Sequence, residues 1–196
     1  MILSQPELRE AVAKGEIRFD PPLEERQWHE ASIDLRLGYK FTKWKPAPSA
    51  RFSLNKGFSE ISALGLWSEK VLRPVDEHGK PESYPLDPDE FVLAQVYEKI
   101  WMPNHLIALV EGRSSYARVG ISIHQTAPWI QPGWSGHITL ELRNGPLNIS
   151  LTPAEDMPCQ LTFFQLTSAL PDALAYGARP TDMFQGQDSP LPTRKV

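Results

Sequence analysis

Nineteen prolines in 196 residues, about twice the usual share, set the strongest limit on what this chain can fold into. Each one fixes its own φ, removes a backbone donor and pushes the residue before it out of the helical region. Repeated this often, those constraints exclude long helices and require many chain reversals. Strand signals fill the gaps. Residues 33–37 (IDLRL) alternate and stop at Gly38, and residues 137–142 (HITLEL) alternate strictly, with Pro132-Gly133 ahead of them in the central positions of a type II turn. Residues 91–96 and 106–110 are apolar runs around the Trp101-Met102-Pro103 corner, Leu147, Ile149 and Leu151 alternate, and residues 161–166 form another buried run. The count predicts roughly eight to ten short strands, hence a mainly β distorted barrel or jelly roll.

A single domain spanning 1–196 suits this length. Ser4-x-x-Glu7 is a capping box opening a short N-terminal helix, with Pro6 in its first turn and Gly15 as its stop. Asp34 and Arg36 fall on the outer face of the 33–37 strand and are expected to pair there. Residues 39–49 (YKFTKWKPAPS) read as a solvated edge strand and loop, and 44–85 as long excursions, a lid or an oligomer contact, with one hairpin near 66–73. The polar stretch 171–196 reads as a mobile tail.

Charge and cysteine content narrow the function. A net charge of −4 argues against broad nucleic-acid binding, which needs a basic face, yet leaves room for a phosphorylated small molecule held by a few concentrated arginines. The lone Cys159 excludes an intrachain disulfide and predicts inert packing in a reducing compartment. No basic segment followed by an apolar one opens the sequence, and no stretch approaches the length of a membrane span, so a cytoplasmic protein with no membrane partner is expected.

Residues 111–144 carry the chemistry. Gly112-Arg113-Ser114-Ser115-Tyr116-Ala117-Arg118 follows a buried run, and one helical turn there puts Ser114 and Arg118 on one face. Two hydroxyls, two guanidinium groups and free N–H groups then suit an anion, although the same residues also describe an ordinary N-capped surface helix. Further on, His137, Thr139 and Glu141 share one strand face. Glu141 is either a rigidly mounted general base or part of a wet surface.

The blocks GRSSYARVG, HQTA and IQPGWSGHITLELRN, at this spacing, resemble the dCTP deaminase family, relatives of the trimeric dUTPases. Weaker similarity reaches ASIDLRLGYKF, LDPDEFVLAQVYEKIWMP and YGARPTDMFQGQ. The resemblance implies a dUTPase-like fold, a homotrimer with shared active sites, and a nucleotide substrate. Glu141 would activate the water that attacks C4 of cytosine, with Ser114 and Arg118 completing the catalytic set. Arg113 and Ser115 would hold phosphate, Ala127, Thr139 and Leu140 would read the pyrimidine, and Tyr176 and Gln187 of the tail would close over it. Magnesium would enter with the triphosphate. Zinc chemistry is excluded by the single cysteine, because the zinc deaminases need a P-C-x-x-C ligand pair. Two positions depart from the family. Gln131 stands where an Asp orients the sugar, or in dUTPases the attacking water, and Met183-Phe184 stands where the tail has Lys-Tyr. Gln131 counts against diphosphate release. The alternatives are a nucleotide-binding member without turnover and a bifunctional deaminase and dUTP diphosphatase.

Overall fold

The computed structural model describes residues 1–46, 49, 51–53 and 57–192. The parts of the 39–49 and 44–85 readings at 47, 48, 50 and 54–56, and the last four tail residues, lie outside the described residues. The architecture is mainly β, as the prolines and alternation require. Helix α1 (Gln5–Ala13) begins with the expected capping box, in which the Ser4 N–H and hydroxyl both donate to the Glu7 carboxylate, and Gly15 ends it at a φ of 73°.

A short helix, α2 (Phe58–Ala63), and eleven strands follow among the described residues. One sheet is built on the long strand β6 (Phe91–Trp101), which pairs with β1 (Arg18–Asp20), β3 (Leu37–Trp44) and β9 (Ser135–Arg143), while β4 (Trp67–Val71) extends it beyond β3. The second contains β2 (Ile33–Leu35), β11 (Cys159–Gln165), β7 (Leu106–Gly112) and β8 (Trp129–Ile130), and β5 (Tyr84–Leu86) pairs with β10 (Ile149–Leu151) alone. All pairings within the sheets are antiparallel. Leu35, Val92, Ala94, Leu140, Leu142, Leu161 and Phe163 interdigitate in one core.

Three expectations need correction. Residues 33–37 are buried on both faces, so Asp34 and Arg36 are not a surface pair. Arg36 instead donates through Nε to the buried Glu98 at 2.7 Å and through Nη1 to Glu24, and its guanidinium lies 4.7 Å from the Tyr97 ring. The polar face is covered because residues 24–27 fold over it and Glu98 reaches it from β6. Residues 37–44 are not an edge strand, since β4 pairs along them with Lys40 opposite Val71 and Trp44 opposite Trp67. The hairpin near 66–73 is a single strand, β4, whose partner is the earlier β3 rather than a neighbouring turn-back. Cys159 is fully buried, and burial pushes its thiol far above the ordinary range, in keeping with inert packing.

Candidate active site

The Gln131-Pro132-Gly133-Trp134 reversal is the predicted type II turn: Gly133 takes a φ of 80° and the Trp134 N–H donates to the Gln131 carbonyl at 3.1 Å. It delivers the chain into β9 with Ile138, Leu140 and Leu142 toward the core and His137, Thr139 and Glu141 on the other face. Register then sets the neighbours. Glu141 lies opposite Leu93 and Thr139 opposite Gln95 on β6, and Leu93 lies opposite Thr42 on β3, so these side chains share one face of the sheet. Over that face is a cavity of about 390 Å³, lined in part by Leu93, Thr139, Glu141, Ala127, Gln131 and Tyr176. Its size is that of a small-molecule site.

Glu141 is fixed from both sides. Its backbone N–H donates to the Ile123 carbonyl at 2.8 Å, and its Oε2 accepts the Gln125 backbone N–H at 2.8 Å. The other oxygen of this half-buried carboxylate has no partner among the described residues, which leaves it for a water or substrate.

The tail is docked over the cavity. The His137 N–H donates to the Gln187 carbonyl at 2.7 Å, the Gly186 N–H to the Ser135 carbonyl at 2.9 Å, and the Gln187 amide to the Thr139 hydroxyl at 2.9 Å. Tyr176 N–H bonds the Pro132 carbonyl, and the Trp134 indole bonds the Phe184 carbonyl. Gly136 is required for this approach: a Cβ there would stand 2.6 Å from the Gln187 nitrogen. Beyond it, Lys99 and Lys40 grip the side chain and carbonyl of Asp188 at 3.2 and 2.8 Å.

The cavity therefore gathers Glu141, Ala127, Gln131, Thr139, Leu140, Tyr176 and Gln187, seven of the expected site residues, and not Arg113, Ser114, Ser115 or Arg118. Those four lie on and beside α3 (Ser114–Ala117), a single turn closed by the Arg118 N–H to Ser114 carbonyl bond, with Ser114, Ser115 and Arg118 exposed. The turn is mounted rigidly. Tyr116 donates to Asp156 at 2.6 Å, and burial with that bond pushes its phenol well above the ordinary range.

Sequence reasoning missed much of the wall. Trp44, Phe58, Trp134 and Phe184 line the cavity, with Trp44 and Phe184 each packed against Phe58 at 6.3 and 6.2 Å. The aromatics of YKFTKW were the available signal. His124 also lines it. Its Nδ1 is buried without a partner and its Nε2 is 3.5 Å from Glu111.

A mainly β domain whose cavity is floored by strand residues and closed by its own C-terminal segment defines the structural class. A sequence model of the dCTP deaminase-like family matches residues 2–166, and the chain belongs to that family. It is similar to the dUMP-forming dCTP deaminase of Methanosphaera stadtmanae, at 35% identity over 96% of this chain and 91% of that one. It is equally similar, at 35%, to the dCTP deaminase of Rhodospirillum rubrum, over 99% and 96% of the two chains. Among solved structures, the 2'-deoxycytidine 5'-triphosphate deaminase from Agrobacterium tumefaciens shares the fold with a TM-score of 0.62. The identity there is 21%, over 88% of this chain and 50% of that chain.

Proposed function

We propose that this protein is a hydrolase that deaminates dCTP, or a close cytosine deoxynucleotide, to the uracil form and ammonia. The observation that carries this reading is Glu141 at the cavity wall, with one carboxylate oxygen pinned by the Gln125 N–H and the other open. Water adds to C4 while Glu141 takes its proton, and Glu141 returns a proton to the departing amine. Thr139, Leu140, the backbone at Ala127 and the amides of Gln131 and Gln187 supply the polar contacts for base and sugar. No step needs zinc, and the magnesium of the triphosphate enters as part of the substrate.

Ser114 and Arg118 act in this reaction from a second copy of the chain, and Arg113 and Ser115 bind its phosphates. The exposure of Ser114, Ser115 and Arg118 away from the cavity supports a ring of copies, a homotrimer, in which each supplies α3 to its neighbour's cavity. The product is dUTP. The carboxylate that would orient water for diphosphate release is replaced by the uncharged Gln131. A reducing, cytoplasmic setting suits the unpaired Cys159, and among the described residues no helix is long and apolar enough to cross a membrane.

The test is ammonia release across cytosine nucleotides with product phosphates counted. Ammonia with dUTP supports the reading, and dUMP with diphosphate would move it to a bifunctional enzyme, the reaction named for the Methanosphaera stadtmanae relative. Tight binding of dCTP with no ammonia would leave a binding protein.

A further inference from the structure

We propose that Asp34 is a positioning residue for nucleotide recognition, holding the Arg113 guanidinium in an ion pair that leaves its Nη2 for the phosphates. This rests on the assignment of Arg113 to phosphate in the proposed function.

Asp34 sits on β2 between the fully buried Ile33 and Leu35 and is itself 1% exposed. A carboxylate in such a place is costly unless it is paired and hydrogen-bonded. His29 Nε2 hydrogen-bonds its Oδ2 at 2.9 Å, and the Arg113 guanidinium forms an ion pair with the same oxygen, Nε to Oδ2 at 2.9 Å. Arg113 is held a second time where its Nη1 donates to the Met157 carbonyl at 3.1 Å, and its backbone N–H donates to the Pro158 carbonyl at 3.0 Å. The ion pair and the Met157 bond hold the guanidinium at two points.

Donor arithmetic says what is left. A guanidinium carries five N–H donors; the Met157 bond uses one on Nη1, and Nε stands against Asp34 in the ion pair. Nη2 forms no hydrogen bond among the described residues, and the side chain remains 30% exposed. Its N–H groups suit phosphate oxygens. Because Asp34 has already ordered the side chain, less rotamer freedom is lost when phosphate binds. His29 is a brace: its side chain is 40% exposed, and it keeps Oδ2 aimed at Arg113.

The experiment compares ammonia release from dCTP, dCMP and deoxycytidine in the unmodified full-length protein and two variants. Asp34→Asn keeps the shape and loses the charge. It should raise KM for dCTP about tenfold with kcat within about twofold, and deoxycytidine turnover should be unchanged. His29→Ala should shift the dCTP KM in the same direction by about threefold. A fall in kcat that is equal on dCTP and deoxycytidine would overturn the proposal, since that is what general loosening of the fold produces. If Asp34→Asn does not fold, folded His29→Ala decides, and an unchanged dCTP KM there overturns it. No ammonia from the unmodified protein with any substrate would sink the functional reading instead. Calorimetric binding of dCTP and deoxycytidine by the same variants then decides the role of Asp34: a loss confined to the nucleotide supports it, and equal losses overturn it.

Discussion

Glu141→Gln separates the carboxylate's chemistry from its structural role. The Gln side chain is isosteric and its amide oxygen can still accept the Gln125 N–H now held at 2.8 Å. What is lost there is the difference between a charged and a neutral acceptor, about 1 kcal/mol. The proton acceptor, by contrast, disappears. A positioned general base is worth about 10²- to 10⁴-fold, or roughly 2.8 to 5.6 kcal/mol of barrier at about 1.4 kcal/mol per decade. The barrier should therefore rise several times more than the ground state changes. Ammonia release under saturating dCTP gives the first quantity, and calorimetric dCTP binding with a melting curve gives the second. The expected result is at least a hundredfold loss of kcat, near-native affinity and a small change in melting temperature. Turnover within tenfold of the unmodified protein would refute Glu141 as the base, and so would a loss of affinity as large as the loss of rate.

Mixing inactive Glu141→Gln and Arg118→Ala chains tests the shared site: in randomly assembled trimers about a quarter of the sites pair intact Glu141 with an intact neighbouring Arg118. Activity should return toward that fraction, and a mixture as inactive as its components argues for sites within one chain. Gly136→Ala should undock the tail, because the added Cβ collides with Gln187 at a φ of 142°. With three tail hydrogen bonds lost at about 1 kcal/mol each, KM should rise at least tenfold and limited proteolysis after residue 171 should speed up; an unchanged digestion rate would contradict this. Burial holds the His137 imidazole below its ordinary pKa, outweighing the bond to the Val96 carbonyl and the attraction of Asp188, with Lys99 and Lys40 adding to the depression. As pH falls below about 6.5 the unfolded chain takes up that proton before the folded one, so stability drops as pH falls toward the lowered value. Denaturant titrations at pH 7 and 5 should show this drop shrinking in His137→Gln, and an equal drop in both would remove burial as the cause.

Local signals were readable from the sequence where the physics is local. The capping box at Ser4 and Glu7, the Pro132-Gly133 turn and the alternation that aims Thr139 and Glu141 away from the core all depend on residues a few positions apart. The polar face of 33–37 did not yield to the same logic. Alternation there shows that Ile33, Leu35 and Leu37 share a covered face, but the covering of the other face comes from residue 98 and from 24–27, which no period within the strand encodes. Strand β4 escaped the same logic for a related reason, since its partner β3 ends at Trp44, far back in the chain. At the site, the strand-borne half was legible because position on β9 fixes direction. The aromatic walls Trp44 and Phe58 were not, because their approach to Phe184 depends on how a long excursion packs back over the sheet.

Strand β9 has β6 on one side, and at Gly136 its other side is taken by Gln187, running parallel to it. A bare strand edge is a template for another chain's backbone. The same hydrogen bonds that shut the cavity thus also keep this edge from pairing with a second copy. Opening for substrate exchange and exposure to edge-to-edge association are one event seen from two sides. A tail held shut by ligand should therefore slow aggregation as well as product release, and loss of residues 184–192 should leave a protein whose light scattering grows with concentration.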